Sequence, residues 1–286
     1  MNNVQKAGIG EYAVITLIDS TDMVREAVRL HSPMSDLSIQ ALGRLLTVTA
    51  FMSEGFKGKE KLSITYDTTG GLGRLVTAGT RLKVRGYVEN KDYELYDKDG
   101  ISDLVAGVGG GELTVIKDLG LKEPYVGKCA IARGNISDDF SYYFTLSEQV
   151  PSAVHVDVVI EDGVVMRACG MFLQLLPGCP EEVKVMLQDI VRDFYGMSVM
   201  MDTMTFRQMI ADRFMVFDIQ YYDTERVEYE CTCSRARMDA IVLSLGKDEA
   251  MSIVADQGII EIHCDFCSSY YRYTAEDVER LFDERD

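Results

Sequence analysis

The segment Glu230-Cys231-Thr232-Cys233-Ser234 and the segment His263-Cys264-Asp265-Phe266-Cys267-Ser268, with thirty residues between Cys233 and Cys264, organise the reading of the whole chain. Two closely spaced cysteine pairs in one short region form a pattern with a specific chemical use. Residues two apart on an extended strand point to the same face, so the first pair can offer two thiolates side by side, and a Cys-x-x-Cys turn offers two more from a tight knuckle. Four thiolates at about 2.3 Å satisfy tetrahedral zinc and leave no position for a catalytic water. The spacing therefore predicts a structural or regulatory Zn²⁺ site, one ion per chain, on Cys231, Cys233, Cys264 and Cys267. His263 is adjacent to Cys264 and is an alternative donor. Thiolate ligands are also nucleophiles, and oxidation of a pair removes two ligands at once, so the same four residues suit a redox switch. Cysteines two apart on a strand lie near the upper limit for bridging, and a Cys231–Cys233 disulfide requires the backbone there to bend.

The unit from Cys231 to Asp286 has 56 residues and a small apolar inventory, a size at which a domain needs a staple, and the metal supplies one. Within it RMDAIVLSLG and KDEAMSIVADQG read as two short helices, GIIEIH and SSYYRY as a hairpin around the knuckle, and AEDVERLFDER as a helix capped by Thr274 and Asp277. Upstream, VEYECTCS and MVFDIQYYD read as strands, the first carrying Cys231 and Cys233. Before them, EEVKVMLQDIVRDF places Val183, Met186, Leu187, Ile190, Val191 and Phe194 along one helical stripe. Seven of the fifteen methionines fall between Met186 and Met215. That stripe suits packing on a neighbouring core, and it also suits contact with varied apolar partners once displaced.

Pro177-Gly178-Cys179-Pro180 closes the preceding domain, so the expected organisation is residues 1–180, a Met-rich linker at 181–230 and a zinc domain at 231–286. The first 180 residues mix short alternating runs (KLSITYD, GRLVTAG, LKVRGYVE, ELTVIKD, VGKCAIARG, VHVDVVIE, VVMRACG) with helices near MVREAVRL, DLSIQALGRLLTVTAFM and FSYYFTLSEQ. The expected class is α+β, with a mainly antiparallel sheet and packed helices. In the second helix Leu37, Ala41, Leu42, Leu45, Leu46 and Thr49 form one apolar face, with Ser35 at its start. Cys129, Cys169 and Cys179 sit singly in apolar surroundings and read as small buried hydrophobes.

Of the 286 residues 47% are hydrophobic, enough for a sizeable core, and 29 basic against 46 acidic side chains leave a formal charge of −17. Such a chain repels a phosphate backbone, which argues against a nucleic-acid partner. No run approaches the roughly 20 apolar residues that span a bilayer, and MNNVQKAGIGEYAVITLIDS lacks the basic opening and cleavage site of a leader, so a cytoplasmic location is expected. Gly70-Gly71-Leu72-Gly73 and Gly107-Val108-Gly109-Gly110-Gly111 are read as hairpin turns, since the second runs into the strand-like Glu112–Ile116 and no Walker lysine follows either.

YECTCSRAR, CDFC and the YY that follows, together with GGLGRLV, VRGYV, LTVIKDLGLKEPYVG, YYFTLSEQVPSAV and CGMFLQLLPGCP, resemble the bacterial 33 kDa heat-shock protein family over nearly the whole chain. That resemblance implies a redox-regulated, ATP-independent holdase chaperone, not an enzyme. It implies zinc on Cys231, Cys233, Cys264 and Cys267 in the reduced, inactive form. Oxidation would pair Cys231 with Cys233 and Cys264 with Cys267, release zinc, unfold the linker and favour a homodimer that holds unfolding clients. One departure is Ser268-Ser269, where the family tends to place glycine or asparagine suited to left-handed backbone. Against this stand three other classes: a zinc-ribbon nucleic-acid module, disfavoured by the acidic AEDVERLFDERD; a thiol-disulfide oxidoreductase, disfavoured because no helix follows CDFC directly; and a zinc-stabilised adaptor without redox control.

Overall fold

A computed structural model describes residues 4–223 and 225–283. The chain divides into two compact units, Met1–Glu230 and Cys231–Asp286. The first unit begins with β1 (Val4–Ile9), β2 (Ala13–Asp19), α1 (Thr21–His31), α2 (Asp36–Ser53), β3 (Lys61–Thr68), β4 (Arg74–Thr80) and β5 (Lys83–Val88). It continues through α3 (Leu104–Val108), β6 (Gly111–Asp118), β7 (Tyr125–Ala130), α4 (Ile136–Tyr143) with a π-helical turn at Phe144–Glu148, β8 (Ser152–Glu161) and β9 (Val164–Leu175). Then come α5 (Glu181–Arg192), a 3₁₀ turn at Asp193–Gly196, α6 (Met197–Met200), α7 (Phe206–Arg213), β10 (Ile219–Tyr221) and β11 (Glu228–Tyr229).

The alternating runs build two sheets where the sequence suggested one. Their orders are β10-β1-β2-β9-β8 and β11-β5-β4-β3-β6-β7, with antiparallel neighbours throughout except the parallel pair β11–β5. The first two strands gave no alternation to read, because β2 is apolar on both sides: Ile18 joins one core, while Ala13, Ile15 and Leu17 join another. A strand buried on both faces loses the period-two signal.

Between the sheets runs α2, which contacts strands of both. Its single expected apolar face is a correction: from Leu37 to Ser53 only Gln40 and Arg44 are not buried, because sheets clasp it from two sides. Gly43 makes the close approach possible, since a Cβ there would stand 2.9 Å from both Val24 and Val158. Ser35 caps α2, accepting from Ser38 N at 3.1 Å. Two buried threonines of this helix are satisfied in pairs, Thr47 Oγ1 with Ser20 Oγ at 2.7 Å and Thr49 Oγ1 with Thr77 Oγ1 at 2.6 Å.

The glycine clusters meet each other. Gly70–Gly73 turns β3 into β4, as expected, but Gly107–Gly111 is no hairpin: it ends α3, with Gly109 at φ 66°, and opens β6. Gly70 N donates to Val108 O and Thr69 N to Gly110 O, both at 2.9 Å. A Cβ on Gly70 would stand 2.1 Å from Gly107 O, so the glycines serve backbone-to-backbone packing.

The opposite face of the five-stranded sheet carries the second core. Ile9, Ile15, Leu17, Met171 and Leu173 pack there with Leu187, Val191, Phe194, Met197, Met209, Ile210 and Phe214. Residues 181–214 therefore lie on this sheet through their methionine and aromatic stripe. Met186, expected within that stripe, is 45% exposed, and Met215 is 73% exposed. The α-helix stops at Arg192, and the seam runs through Leu187, Val191 and Phe194, leaving Met186 at its edge.

The second unit contains α8 (Arg235–Leu245), α9 (Lys247–Gln257), β12 (Ile260–Cys264), β13 (Ser269–Tyr273) and α10 (Ala275–Asp283); Glu284 and Arg285 of the expected last helix lie outside the described residues. Thr274 caps α10, with Asp277 N donating to Thr274 Oγ1 at 3.3 Å and Thr274 N to Asp277 Oδ2 at 3.1 Å. The buried core here is Met238, Val242, Ala250, Val254, Ile260, Tyr273 and Val278. So small a core gives a domain of this length marginal stability by itself.

Candidate metal centre

The antiparallel register of β12 and β13 places Cys264 opposite Ser269, and the connecting turn carries Cys267. Ser268 N and Cys267 N donate to Cys264 O at 2.8 and 3.2 Å, which closes the knuckle. Ser268 itself takes the left-handed conformation, φ 57°, where glycine or asparagine fits with less strain.

The other pair corrects the sequence reading. The ladder ends at Tyr229, and Cys231-Thr232-Cys233 lies outside any strand, just ahead of α8. It is held by side chains: Arg237 Nη1 donates to Thr232 O and Oγ1 at 2.8 and 2.7 Å, and Ser234 Oγ caps α8 by accepting from Arg237 N at 3.3 Å. Arg235 lies over the Tyr273 ring at 3.8 Å and donates to Arg272 O at 3.0 Å, tying the start of α8 to the hairpin. Tyr273 OH donates to Asp239 Oδ1 at 2.8 Å, and Arg235 pairs with the same oxygen at 3.2 Å.

Four sulfurs result from this scaffold, all within 4.8 Å of one another. Cys231 Sγ stands 3.7 Å from Cys264 Sγ, and Cys233 Sγ stands 3.3 Å from Cys267 Sγ. A regular tetrahedron with bonds of about 2.3 Å has edges of about 3.8 Å, so the donor set fits one tetrahedral, thiophilic ion. His263 is not among these donors. Strand alternation turns it away from Cys264 to the exposed face, where it meets Asp265 Oδ1 at 3.1 Å and the Tyr270 ring at 4.6 Å.

Crowding four ionisable sulfurs has an electrostatic cost. Burial, and then the neighbouring thiols, push Cys264 well above the usual thiol range, and burial raises Cys231 as well. At Cys267 burial also pushes upward, but the hydroxyl and backbone of Ser269 hydrogen-bond the sulfur and bring it down to about 7. Ser269 Oγ lies 3.2 Å from that Sγ. Tyr271 OH donates to Cys233 Sγ at 3.1 Å, and this bond, with burial and the nearby sulfurs, holds the phenol up at about 12. A cation among the sulfurs reverses the balance and favours four thiolates.

Ser269, Tyr271, Arg235 and Arg237 were not singled out as supporting residues in the sequence, although each stands within four positions of a cysteine. Their roles depend on contacts that spacing does not encode. Cys129, Cys169 and Cys179 are all buried, as expected, and burial pushes the first two up to about 11 and about 12. Among the described residues, no helix is long and apolar enough to cross a membrane.

The sequence matches the family model described as Hsp33 protein over residues 9–274. It is similar to a 33 kDa chaperonin of Desulforamulus reducens, 36% identical over 266 residues, covering 92% of this chain and 90% of that one. A 33 kDa chaperonin of Bacillus cytotoxicus is 34% identical over 271 residues, covering 93% of each. The crystal structure of a 33 kDa chaperonin, a heat shock protein 33 homologue from Thermotoga maritima, superposes with a TM-score of 0.88 at 28% identity, covering 100% of this chain and 99% of that one. With the two cysteine pairs brought to one point on a shared fold, and a family model spanning nearly its whole length, this chain belongs to the Hsp33 protein family.

Proposed function

We propose that this member of the Hsp33 family is a redox-regulated, ATP-independent holdase chaperone of the cytoplasm. It binds unfolding proteins under oxidative stress and turns over no substrate. The observation that carries the reading is the convergence of Cys231, Cys233, Cys264 and Cys267 within 4.8 Å in a unit that, among the described residues, buries seven hydrophobic side chains. In the reduced protein these four hold one Zn²⁺. When bound, the ion crosslinks the segment before α8 to the β12–β13 knuckle, with an apparent worth of roughly 10–16 kcal/mol, comparable to the stability of a whole domain.

Peroxide is the chemical class of the activating oxidant. A thiolate attacks one peroxide oxygen, the O–O bond breaks and a sulfenic acid forms; the neighbouring thiol then displaces its hydroxyl as water. Each bridge removes two electrons from a thiolate pair, and with two protons taken from solvent one peroxide becomes two waters. We assign the bridges to Cys231–Cys233 and Cys264–Cys267. Each joins residues of one local segment, so it persists after the two segments separate.

With its donors consumed the 231–286 unit loses its staple. We read residues 1–180 as the chaperone core and 181–230 as a metastable linker whose release uncovers Ile9, Ile15, Leu17, Met171 and Leu173 together with its own methionines. Large apolar surfaces of this kind capture unfolding chains and favour the homodimer we assign to the oxidised state. Independence from nucleotide agrees with the glycine clusters, neither of which opens a helix.

The test is suppression of thermal aggregation of an unrelated protein, without nucleotide, by the reduced zinc form and by the peroxide-oxidised form. The oxidised form is expected to suppress and the reduced form not. Equal activity in both, with zinc retained after peroxide, points instead to an adaptor without redox control and refutes the proposal.

A further inference from the structure

One edge of the six-stranded sheet is covered by the chain itself, in an unusual way. β11 lies parallel to β5, with Glu228 opposite Lys83 and Tyr229 opposite Val84. Glu228 N donates to Leu82 O and Glu230 N to Val84 O, both at 2.9 Å. There the ladder stops, and a side chain takes over. Tyr229 OH donates to Gly86 O at 2.9 Å and accepts from Gly86 N at 3.2 Å, standing in for the next residue of a strand.

The side chains of this segment are sorted as a bound peptide's would be. Val227 is fully buried in the main core, and Tyr229, two positions on, packs against the same core. The charged residues lie at the rim, Glu225 with Arg81 at 3.3 Å and Glu230 with Lys83 at 2.6 Å. The groove thus receives an extended backbone, an aliphatic side chain and an aromatic one at the next same-face position. Main-chain bonds with pockets for alternate side chains are how peptides add to sheet edges. The plug is short and in the parallel arrangement, which is less stable per residue, and Glu230 is followed directly by Cys231.

We propose that β11 is a built-in plug in a strand-docking groove on β5. Once residues 225–230 leave, an extended segment of an unfolding protein, with an aliphatic residue followed two positions later by an aromatic one, adds to β5 in their place. This rests on the linker release proposed above. The seated segment identifies the occupant: an unfolded chain offers the same donors and the same apolar pattern, and a longer one reaches the Gly86 backbone that Tyr229 now caps. An uncovered edge is a template for pairing in any case.

The first test is hydrogen exchange of residues 83–87 in the full chain, reduced, oxidised, and oxidised with a reduced and carboxymethylated, permanently unfolded protein as the probe. Protection is expected to fall on oxidation and to return by roughly tenfold when the probe is bound. An oxidised protein that suppresses aggregation while residues 83–87 exchange equally fast with and without the probe overturns the groove and leaves the chaperone reading standing. The second test does not depend on oxidation. Reduced Tyr229→Ala protein is expected to bind an acetylated peptide with the sequence of residues 225–230, and not the same peptide N-methylated at the positions of Glu228 and Glu230. Binding of both peptides equally, or of neither, overturns the proposal.

Discussion

Replacing Phe214 with alanine tests whether the linker's hold on the five-stranded sheet is what keeps the chaperone idle. Phe214 is fully buried, with ring centroids 6.1 Å from Phe194 and 6.4 Å from Phe217. Truncating a buried phenylalanine costs about 3–5 kcal/mol, transfer and cavity together. Phe214 follows α7 directly and packs in the core that joins residues 181–214 to the sheet, so most of this loss falls on docking of the linker. At about 1.4 kcal/mol per tenfold, the undocked population rises roughly a hundredfold to a few thousandfold. Hydrogen exchange over residues 187–214 of the reduced zinc form should accelerate correspondingly, and that form should suppress aggregation without peroxide. Phe140→Ala is the control, since Phe140 is equally buried in the other core and its loss lowers stability without releasing the linker selectively. The reasoning fails if residues 187–214 exchange no faster in Phe214→Ala while the melting temperature falls, or if both variants are equally active.

Cys264→Ser should reduce zinc affinity severely, because serine replaces one of four thiolates; metal titration with a chromophoric chelator reads this, and unchanged affinity rules out the assignment. Arg237→Ala should speed formation of the Cys231–Cys233 bridge relative to Cys264–Cys267 by freeing Thr232, as disulfide mapping along a peroxide time course would show. His155, whose ring lies 4.9 Å from that of Tyr195 in the linker, provides a pH dependence. Burial, opposed by Asp157 and reinforced by Arg44, holds its folded pKa below 6.5, with Asp138 opposing more weakly. The unfolded chain therefore binds the extra proton first, so His155's contribution is fully present above about pH 6.5 and declines as pH falls through that value. Urea midpoints at pH 5, 6 and 8 should show this slope, and His155→Gln should flatten it.

Much of the centre was legible because its chemistry is local. A Cys-x-x-Cys turn presents two sulfurs whatever surrounds it, and the capping pair Thr274 and Asp277 needs only three residues of spacing. The errors have two causes. The strand composition of VEYECTCS points Cys231 and Cys233 to a strand, yet the paired residues on β5 end at Tyr229, and Arg237 holds the backbone beyond. The single apolar face given to α2, the missing β1–β2 hairpin and the single sheet all come from elements buried on two sides, where no polar face remains to mark a period.

By itself the sequence determined the α+β class and the pairing of four cysteines as one donor set, since these follow from residue types and their spacing. Only the tertiary structure decided which sheet face the methionine stripe covers, that the two glycine clusters lock onto each other, and that Tyr229 caps the β5 edge two residues before the first cysteine. Hydrophobic patterning records that a side chain leaves water, but not which partner receives it. That choice is made by the whole set of surfaces packing at once.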